Sequence, residues 1–361
     1  MRVLVVGAGV AGLATGWRLR QAGADVTVLD RAQPGMGATW ASAGMIAAGG
    51  ELGGAHSPDA DFARRSSGQW AQFAKNVEEA SGKDIGYSKC GALLVARTAN
   101  EMATLVPWPG VEQIDGSKAH AMEPLLAPDI AGALRAPDEA KVDSRALGGA
   151  LAAAFMRAGG KLIPNEAIVH IKVEGDLATS VQSPFATYEA DAFVLAAGAW
   201  SGTIDGLPEH AKPPVKPIKG QMLAVVPPPS RELPSHIIWG HGVYMVPRGE
   251  RLLIGATSED AGFDTSVTDD AADFLSARAR SLAPELGDWE IVERWAGLRP
   301  GSPDGLPLLG RTSVERLFVA SGQYRNGILF APAIAQLLCD IVLERGVEIP
   351  AFDPRRFSAK G

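Results

Sequence analysis

The chain has 361 residues, of which 46% are hydrophobic and 21% charged, and its formal net charge is −7 at pH 7. This composition is ordinary for a globular protein large enough for two lobes, and the acidic balance argues against a nucleic-acid partner, which requires a concentrated basic face. The two cysteines, Cys90 and Cys339, lie far apart in sequence, so we expect neither a disulfide framework nor a zinc site and take a reducing cytoplasm as the default compartment.

The first thirty residues have the pattern of a dinucleotide-binding βαβ unit. A strand, a glycine turn, a helix and a second strand are predicted at residues 2–6, 7–12, 10–21 and 26–29. In the GxGxxG spacing, Gly7 allows the tight turn, Gly9 admits a pyrophosphate to the backbone, and Gly12 lets the helix lie close to the sheet. Asp30 follows the second strand, where a carboxylate bonds ribose hydroxyls. A signal peptide is the competing interpretation. We reject it because the apolar region of a signal peptide does not require glycines at this spacing, and no A-x-A-type cleavage site follows.

An uncharged run at residues 32–50 follows this unit. It contains Pro34 and five glycines, so we expect a loop that is buried or lines a ligand rather than a membrane span. Small residues beside a phosphate site allow the close approach of a bulky planar cofactor. A flexible linker is the alternative, and Trp40, Met45 and Ile46 are poor linker residues. We therefore expect this segment to cover or contact a ligand.

The remaining chain alternates extended and helical patterns. Strands are predicted at 85–97, twice within 161–173, and at 192–197, 221–226, 237–246, 251–256 and 317–320. Helices are predicted at 61–81, 117–123, 143–158, 270–282 and after Pro332, with Ser144 capping the third and Gly346 closing the last. The apolar run 192–197 is typical of a buried parallel strand, and the strands between 221 and 256 suit an antiparallel sheet in a second lobe. The first lobe is thus revisited after two excursions, unlike an NAD-linked dehydrogenase, whose nucleotide fold is usually contiguous.

Six segments together resemble the D-amino-acid oxidase superfamily of FAD-dependent amine oxidases, most closely its glycine oxidase branch. They are VVGAGVAGLATGWRL in the first turn and helix, ASAGMIA at 41–47, VLAAGAWS at 194–201, VYMVPRGERLLIGAT at 243–257, WAGLRPGSPDGLPLLG at 295–310 and GQYRNGILFAP at 322–332. The likeness covers nearly the whole chain, and its C-terminal segments are far more specific than the GxGxxG motif.

The resemblance implies an α/β fold, α+β overall, with a Rossmann-like FAD-binding lobe in discontinuous segments and an antiparallel-sheet substrate lobe. By position, the FAD-binding domain takes residues 1–84, 143–216 and 290–361, and the substrate-binding domain takes 85–142 and 217–289. No cysteine stands where sarcosine-oxidase relatives attach FAD, so noncovalent FAD is expected.

The family's substrate-side residues map onto four positions. Arg299 matches the carboxylate-binding arginine, whose fork no lysine reproduces, and Tyr244 matches the tyrosine that supports it. Arg325 lies at a junction where, in relatives, backbone groups and the following helix contact the flavin pyrimidine and the substrate. Ser258 stands where the closest relatives carry a methionine, which implies a larger or more polar pocket. A surface arginine and a core tyrosine are the competing interpretations of the first two.

The same positions imply a set of cofactor contacts. They are Gly7, Gly9, Val10, Ala11, Gly12, Asp30, Arg31, Ala43, Gly44, Met45, Ile168, Ala197, Gly198, Trp200, Arg299, Arg325, Asn326, Gly327 and Ile328. At Arg325–Ile328 we expect a helix N-terminus whose amides receive the charge near flavin N1 and O2. No metal site is expected, because His56, His236 and His241 have no carboxylate neighbours in ligand spacing.

The function implied is oxidative deamination of glycine or another small amine or amino acid, by hydride transfer from Cα to flavin N5. Oxygen is the expected acceptor, which gives hydrogen peroxide. One alternative is a D-amino-acid or secondary-amine dehydrogenase that passes electrons to a quinone or another acceptor, and the other is a binding subunit without turnover. We expect no nucleic-acid partner and no membrane span, and the sequence leaves open whether the chain forms a homo-oligomer.

Overall fold

The computed structural model describes residues 1–52 and 56–358. Its strands, in chain order, are β1 Arg2–Val6, β2 Asp25–Leu29, β3 Met45–Ile46, β4 Ala92–Ala96, β5 Glu112–Asp115, β6 Gly132–Ala136, β7 Ala140–Lys141, β8 Lys161–Ile163, β9 His170–Glu174, β10 Leu177–Gln182, β11 Thr187–Glu189, β12 Ala192–Leu195, β13 Lys216–Val226, β14 Ile237–Gly240, β15 Val243–Arg248, β16 Arg251–Gly255, β17 Glu290–Gly301, β18 Leu308–Arg311 and β19 Leu317–Ser321. The α-helices are α1 Val10–Gln21, α2 Ala38–Ala41, α3 Ala48–Leu52, α4 Pro58–Ser81, α5 Ala99–Thr104, α6 Gly116–Met122, α7 Ser144–Arg157, α8 Asp269–Leu282 and α9 Ala331–Val342. Short 3₁₀ helices lie at Gly198–Trp200, Glu209–Ala211, Pro284–Asp288, Pro350–Phe352 and Pro354–Phe357.

A six-stranded sheet carries the nucleotide-binding pattern. Its strand order is β18-β19-β12-β1-β2-β8, and every neighbouring pair is parallel except β18 with β19. Helix α1 packs against α7 and α9, and α4 packs against both of those helices, so this layer buries one large apolar core. The continuous apolar strand predicted at 192–197 is β12, which is buried along its whole length at the centre of the sheet. The carboxyl ends of β1, β2 and β12 therefore meet at one edge.

An eight-stranded sheet forms the second layer. Its order is β17-β13-β16-β15-β14-β4-β6-β5, and its pairs are antiparallel except β14 with β4. Helix α8 packs against β13, β15 and β16 and encloses a second core with them. A further three-stranded sheet, β11-β10-β9, lies between β8 and β12 along the chain. The mixed α/β architecture predicted from the sequence is confirmed.

Strand β17 bears on one boundary of the expected division into domains. The sequence division placed residues 290–301 in the FAD-binding domain, whereas β17 pairs along its length with β13 in the eight-stranded sheet. Two long strands that pair over most of their length, here with one shift of register at Ala224 and Val225, belong to one sheet. We propose that the last FAD-binding segment begins after Gly301, and the other domain boundaries stay proposals.

The helix ends follow their caps rather than the apolar pattern alone. Helix α1 has the predicted bounds. Helix α4 begins at Pro58, earlier than predicted, because the Ser57 side chain accepts a hydrogen bond from the third residue on, and it ends at Gly82 in the left-handed conformation. The prediction that Ser144 caps α7 is wrong, since the carboxylate of Asp143 accepts from the first-turn amides. Gly346 does not close α9, which ends at Val342.

The extended predictions differ at turns. The segment 237–246 is a hairpin, β14 and β15, because His241 and Gly242 both adopt positive φ, 50° and 81°. Only Ala92–Ala96 of the predicted strand 85–97 pairs in the sheet. Strand β13 begins at Lys216. This start lies within residues 213–220, whose prolines favour a connection between the lobes rather than a strand. Among the described residues, no helix is both long enough and apolar enough to cross a membrane.

Candidate active site

A cavity of about 640 Å³ lies between the two large sheets. One wall is formed by residues that follow β1, β2 and β12, and the opposite wall by side chains of β13, β15 and β17. The segment 32–50 is expected to contact a ligand, and it contributes residues 32, 36–39 and 41–45 to the lining. It contains α2, β3 and part of α3. A cleft of this size, shared by two layers of the fold, is the usual form of a ligand site.

The structure brings the predicted site residues together in this cavity. Its lining includes Gly7, Gly9, Val10, Ala11, Asp30, Arg31, Ala43, Gly44, Met45, Ile168, Ala197, Gly198, Trp200, Tyr244, Arg299, Arg325, Asn326, Gly327 and Ile328. Gly12 and Ser258 are the two predicted residues that do not line it. The segments that carry these residues are distant in sequence, so their convergence is a property of the fold.

Gly12 serves the cavity indirectly. A Cβ at this position would lie 1.9 Å from the carbonyl oxygen of Gly7, which no packing accommodates. The absence of a side chain therefore lets α1 lie on the turn and aim its first amides at the cavity. Its predicted direct contact with a cofactor is corrected to a packing role, while its predicted part in helix packing agrees with the structure.

Ser258 lies outside the lining, so the prediction that its side chain faces the substrate is corrected. Strand β16 ends at Gly255, and Thr257 turns the chain by accepting a hydrogen bond from the backbone of Gln221 at 2.8 Å. Ser258 is consequently exposed, and its hydroxyl lies 3.2 Å from the hydroxyl of Tyr324. Tyr324 does line the cavity, so Ser258 acts on the site only through that phenol.

The nucleotide end of the cavity is built around Asp30. One of its carboxylate oxygens accepts from the amide of Ala8 at 2.6 Å, and the other accepts from the amide of Ala32 at 2.8 Å. Burial raises the pKa of Asp30, against the lowering effect of these two hydrogen bonds. Each carboxylate oxygen has a second lone pair, so ribose hydroxyls still have acceptors here. Asp30 therefore also holds the glycine turn, which the sequence pattern did not indicate.

A cation–π pair stands beside Asp30. The guanidinium of Arg31 lies 3.4 Å from the ring centroid of Trp200, and both residues line the cavity. Phe263 packs on the same indole, with ring centroids 5.3 Å apart. This stack makes a rigid, partly cationic wall at the end where the resemblance predicts the nucleotide.

The opposite end presents polar groups without partners. The Nε2 atom of Gln323 and the Oδ1 atom of Asn326 are buried without a hydrogen bond, and both residues line the cavity. Helix α9 begins only at Ala331, later than the helix start predicted at 325–328, but the amide of Phe330 donates to the carbonyl of Asn326 at 2.8 Å and closes a helical turn before it. The described hydrogen bonds leave the amides at 327–329 free, and all three residues line the cavity. Buried unpaired donors and acceptors of this kind fit the polar edge of a flavin ring.

Arg299 reaches the cavity from β17. Its Nη1 donates to the carbonyl of Thr257 at 3.1 Å and approaches that of Lys219 at 3.5 Å. Gly220, on the adjacent strand, leaves the space in which the guanidinium lies, because a Cβ there would be 2.3 Å from Nη1. Backbone carbonyls thus orient one edge of the guanidinium, which is the geometry that fixed carboxylate recognition requires.

Tyr244 stands near Arg299 on β15. Its hydroxyl lies 3.7 Å from the sulfur of Met222, and Gly255 on the neighbouring strand leaves room for its ring. Burial raises the pKa of Tyr244, against the opposing charge of Arg299, so the phenol is a neutral donor at physiological pH. The exposed-arginine interpretation of Arg299 therefore fails, and Tyr244 is both a packed strand residue and part of the cavity wall.

Glu51 is a cavity residue that the sequence interpretation missed. The uncharged run ends at Gly50, and Glu51 is the first charged residue after it. It lines the cavity together with Arg299, Arg325 and Tyr244. A lone carboxylate at the end of an apolar, ligand-lining segment was the signal that would have identified it.

His236 takes a structural position. His236 has a carboxylate partner after all, because its Nδ1 lies 2.5 Å from Glu123, which is distant in sequence. Glu123 also accepts from the backbone amides of Ser235 and His236, so it holds the start of β14. Over residues 1–52 and 56–358 the structure contains no cluster of side chains suited to a metal ion.

The fold, the glycine turn and the shared cavity together define a dinucleotide-dependent oxidoreductase architecture. The family model for FAD dependent oxidoreductases matches residues 2–341, and the chain belongs to this family. The fit is local as well, since Asp30 and the unpaired groups at 323–329 match the two ends of that cofactor. FAD is the cofactor that the family uses, and Cys90 and Cys339 are both free thiols outside the cavity lining.

Relatives of known name are similar over the whole chain. The glycine oxidase of Geobacillus kaustophilus is 35% identical over 367 residues, which is 99% of this chain and 96% of that protein. The bifunctional protein ThiO/ThiG of Synechocystis sp. is 34% identical over 98% of this chain but 54% of its own length. The chain thus spans about half the length of the bifunctional relatives that it matches.

Solved structures support the same fold. The crystal structure of glycine oxidase from Geobacillus kaustophilus superposes with a TM-score of 0.89 at 32% identity and covers 98% of both chains. Iminodiacetate oxidase from Chelativorans sp. superposes with a TM-score of 0.87 at 26% identity, over 99% of this chain and 98% of that one. The two-sheet architecture is therefore shared along the full length.

Proposed function

We propose that the chain catalyses the FAD-dependent oxidative deamination of glycine or another small amine or amino acid, with oxygen as the electron acceptor. The observation that carries this proposal is the placement of Arg299 and Tyr244 on the wall opposite the glycine turn of a single cavity. A guanidinium oriented by two backbone carbonyls binds a carboxylate through its remaining N–H groups. The glycine oxidases among the relatives support glycine as the substrate.

Each side chain has a definable task in this reaction. Bound FAD supplies a two-electron acceptor for the Cα–H bond of the substrate. Arg299 fixes the substrate carboxylate, and the neutral Tyr244 hydroxyl donates to the same group, so that the Cα–H bond has one orientation in the cavity. Asp30 holds the nucleotide end, and the free amides at 327–329 receive negative charge at the other. The imine product hydrolyses in water.

The proposal is tested by peroxide formation. FAD-loaded protein in air should form hydrogen peroxide with glycine, sarcosine or D-alanine, and Arg299→Ala should lose these substrates while retaining a small amine without a carboxylate. Reduction of a dye but not of oxygen would favour the dehydrogenase alternative. Failure of every amine with both acceptors would overturn the proposal and favour a binding subunit.

Two finer points belong to the same proposal. Noncovalent FAD is supported because Cys90 and Cys339 both lie outside the cavity lining, and acid precipitation should then release intact FAD. Burial raises the pKa of both thiols, which makes them poor nucleophiles.

Free thiols also fit a reducing compartment, so we propose the cytoplasm as the site of action. Light scattering of the purified protein tests whether it forms a homo-oligomer.

A further inference from the structure

The cavity contains a carboxylate that the proposed reaction has not yet used. Three acidic residues line it among the described residues, namely Asp30, Glu51 and Glu166. Glu166 lies at the nucleotide end, since its amide donates to the carbonyl of Asp30 at 2.7 Å. Glu51 instead shares the substrate end with Arg299 and Arg325, and its charge interacts with both. It is therefore the acidic group available to a bound substrate.

The backbone that carries Glu51 is firmly positioned. Helix α3 is only one turn long, and the amides of Gly49 and Gly50 donate to the buried carboxylate of Glu139 at 2.9 and 3.0 Å. A Cβ at Gly49 would lie 2.2 Å from the Trp108 ring, and one at Gly50 would lie 2.6 Å from the Trp239 ring. The helix thus packs against two indoles without side chains of its own at these points. This packing places Glu51, the next residue, on the cavity wall.

The Glu51 carboxylate has no committed partner. Over residues 1–52 and 56–358, no hydrogen bond or ion pair joins it to another side chain, although Arg325 and Arg299 lie close enough for their charges to act on it. Burial raises the pKa of Glu51, against the opposing charges of Arg325 and Arg299. A desolvated carboxylate without a partner gains most from a ligand that brings a positive charge and N–H donors.

A bound amino acid supplies such a group. When Arg299 holds the substrate carboxylate, the ammonium group lies in the part of the cavity that Arg299 shares with Arg325 and Glu51, and Glu51 is the one carboxylate of the described lining there. The amine must be neutral before its Cα–H bond can be oxidised, so one ammonium proton has to leave. An acceptor with a raised pKa inside the cavity provides the destination.

We propose that Glu51 binds the ammonium group of the substrate and removes one of its protons. The N–H bond breaks, its electron pair stays on nitrogen as the lone pair, and the proton passes to a carboxylate oxygen, which leaves Glu51 neutral. The groups that face Glu51 are Arg325 from the turn before α9, Arg299 from β17 and Tyr244 from β15, with Glu139 holding α3 from behind. This inference rests on the proposed function and adds the residue that prepares the substrate.

The test uses the FAD-loaded protein and its Glu51→Gln and Glu51→Asp variants. Anaerobic reduction of the flavin by glycine is followed in a stopped-flow instrument across pH, which gives a limiting rate and a dissociation constant for glycine. Acetate, which lacks the amine, is titrated against the flavin spectrum. Glu79→Gln, which makes the same charge change at an exposed position of α4, is the matched control.

We expect Glu51→Gln to weaken the binding of glycine about tenfold relative to the binding of acetate. The pH dependence of flavin reduction should shift to higher pH, because only glycine whose amine is already neutral in solution then reacts. Glu51→Asp should keep the shape of the wild-type profile. A Glu51→Gln variant with the wild-type profile and the wild-type ratio of glycine to acetate binding would overturn this inference alone. Wild-type protein that no amine reduces would instead overturn the proposed function.

Discussion

At the scale of single residues, the account depends on how Arg299 is held. Its guanidinium is oriented by the carbonyls of Thr257 and Lys219 and occupies the space that Gly220 leaves open. Thr257 is itself fixed by the backbone of Gln221 and donates to Glu259, so the arginine rests on a bonded loop. Charge and geometry at this site are therefore separable by substitution.

The first prediction separates charge from geometry at Arg299. Arg299→Ala should lower kcat/KM for glycine by roughly 10²-fold or more, since each charge-assisted hydrogen bond contributes about 1.5–3 kcal/mol. Arg299→Lys should lose less, because it keeps the charge without the fork. Steady-state kinetics with glycine and with a simple amine measure this. Equal, wild-type efficiency in both variants would remove Arg299 from substrate binding.

A second prediction changes the geometry and leaves the charge intact. In Gly220→Ala the new Cβ would be 2.3 Å from Nη1 of Arg299, and the flexible guanidinium should move aside while the fold persists. We expect at least a ~10-fold fall in kcat/KM for glycine with FAD still bound. Gly68→Ala, a glycine of α4 with open space around it, is the control. Wild-type glycine kinetics in Gly220→Ala would show that the arginine need not lie where the structure places it.

Some site residues were predictable from sequence and others were not, for a physical reason. The glycine turn and Asp30 form a local pattern, and Arg299 and Tyr244 lie in segments that resemble a known family. Gly220 and Glu51 matter because of contacts between segments far apart in sequence, so neither has a local signature. Ser258 was misplaced because its alignment position said nothing of the turn that Thr257 makes.

At the scale of elements, α3 depends on one buried carboxylate. Glu139 is buried and accepts from the first amides of this helix. Burial raises the pKa of Glu139 to about 7, against the opposing hydrogen bonds from Gly50 and Gly49. The folded chain thus retains a proton that the unfolded chain releases near the ordinary value of 4.5. The contribution of Glu139 to the free energy of unfolding is therefore fully present below pH 4.5 and is lost as the pH rises through about 7.

The third prediction follows from that sign. The free energy of unfolding should fall between pH 4.5 and 7, with Glu139 contributing on the order of 3 kcal/mol to the decrease. Glu139→Gln should flatten this part of the profile, because the amide does not ionise but still accepts from the helix. Urea unfolding at several pH values measures it, with Glu79→Gln as the control. Identical slopes in wild type and Glu139→Gln would contradict the assignment.

Element boundaries were predictable where capping chemistry is local. Helix α1 begins and ends as predicted, and Gly82 ends α4 in the left-handed conformation that favours glycine. The β14–β15 hairpin was missed because His241 adopts positive φ without the Asn-Gly or Asp-Gly signal of such turns. The antiparallel layer was predicted, but its strand order depends on pairings that no local pattern encodes.

At the scale of the whole molecule, the cavity joins the two large sheets. Residues that follow strands of the six-stranded sheet and residues on strands of the eight-stranded sheet both line it. The discontinuous arrangement of the first lobe was predictable because the segments that resemble the family are spread along the whole chain. The position of β17 was not, because its pairing with β13 overrides its neighbourhood in sequence.

The fourth prediction is that FAD stabilises the entire chain. A ligand that binds only the folded state raises the free energy of unfolding by about 2.7 kcal/mol at a free concentration of about 100 times its Kd. Asp30→Ala should reduce this gain at fixed FAD, since it removes ribose acceptors and releases the amide of Ala8. Thermal unfolding with and without added FAD provides the comparison. An Asp30→Ala protein with wild-type FAD affinity would show that the ribose is bound elsewhere.

The most direct test of the central claim is the anaerobic addition of glycine to the FAD-loaded protein while the visible absorbance of the flavin is recorded. The oxidised band should disappear in the wild type and persist in Arg299→Ala at the same glycine concentration. A wild-type flavin that stays oxidised with glycine and with every other small amine, while the protein remains folded and loaded, would contradict it.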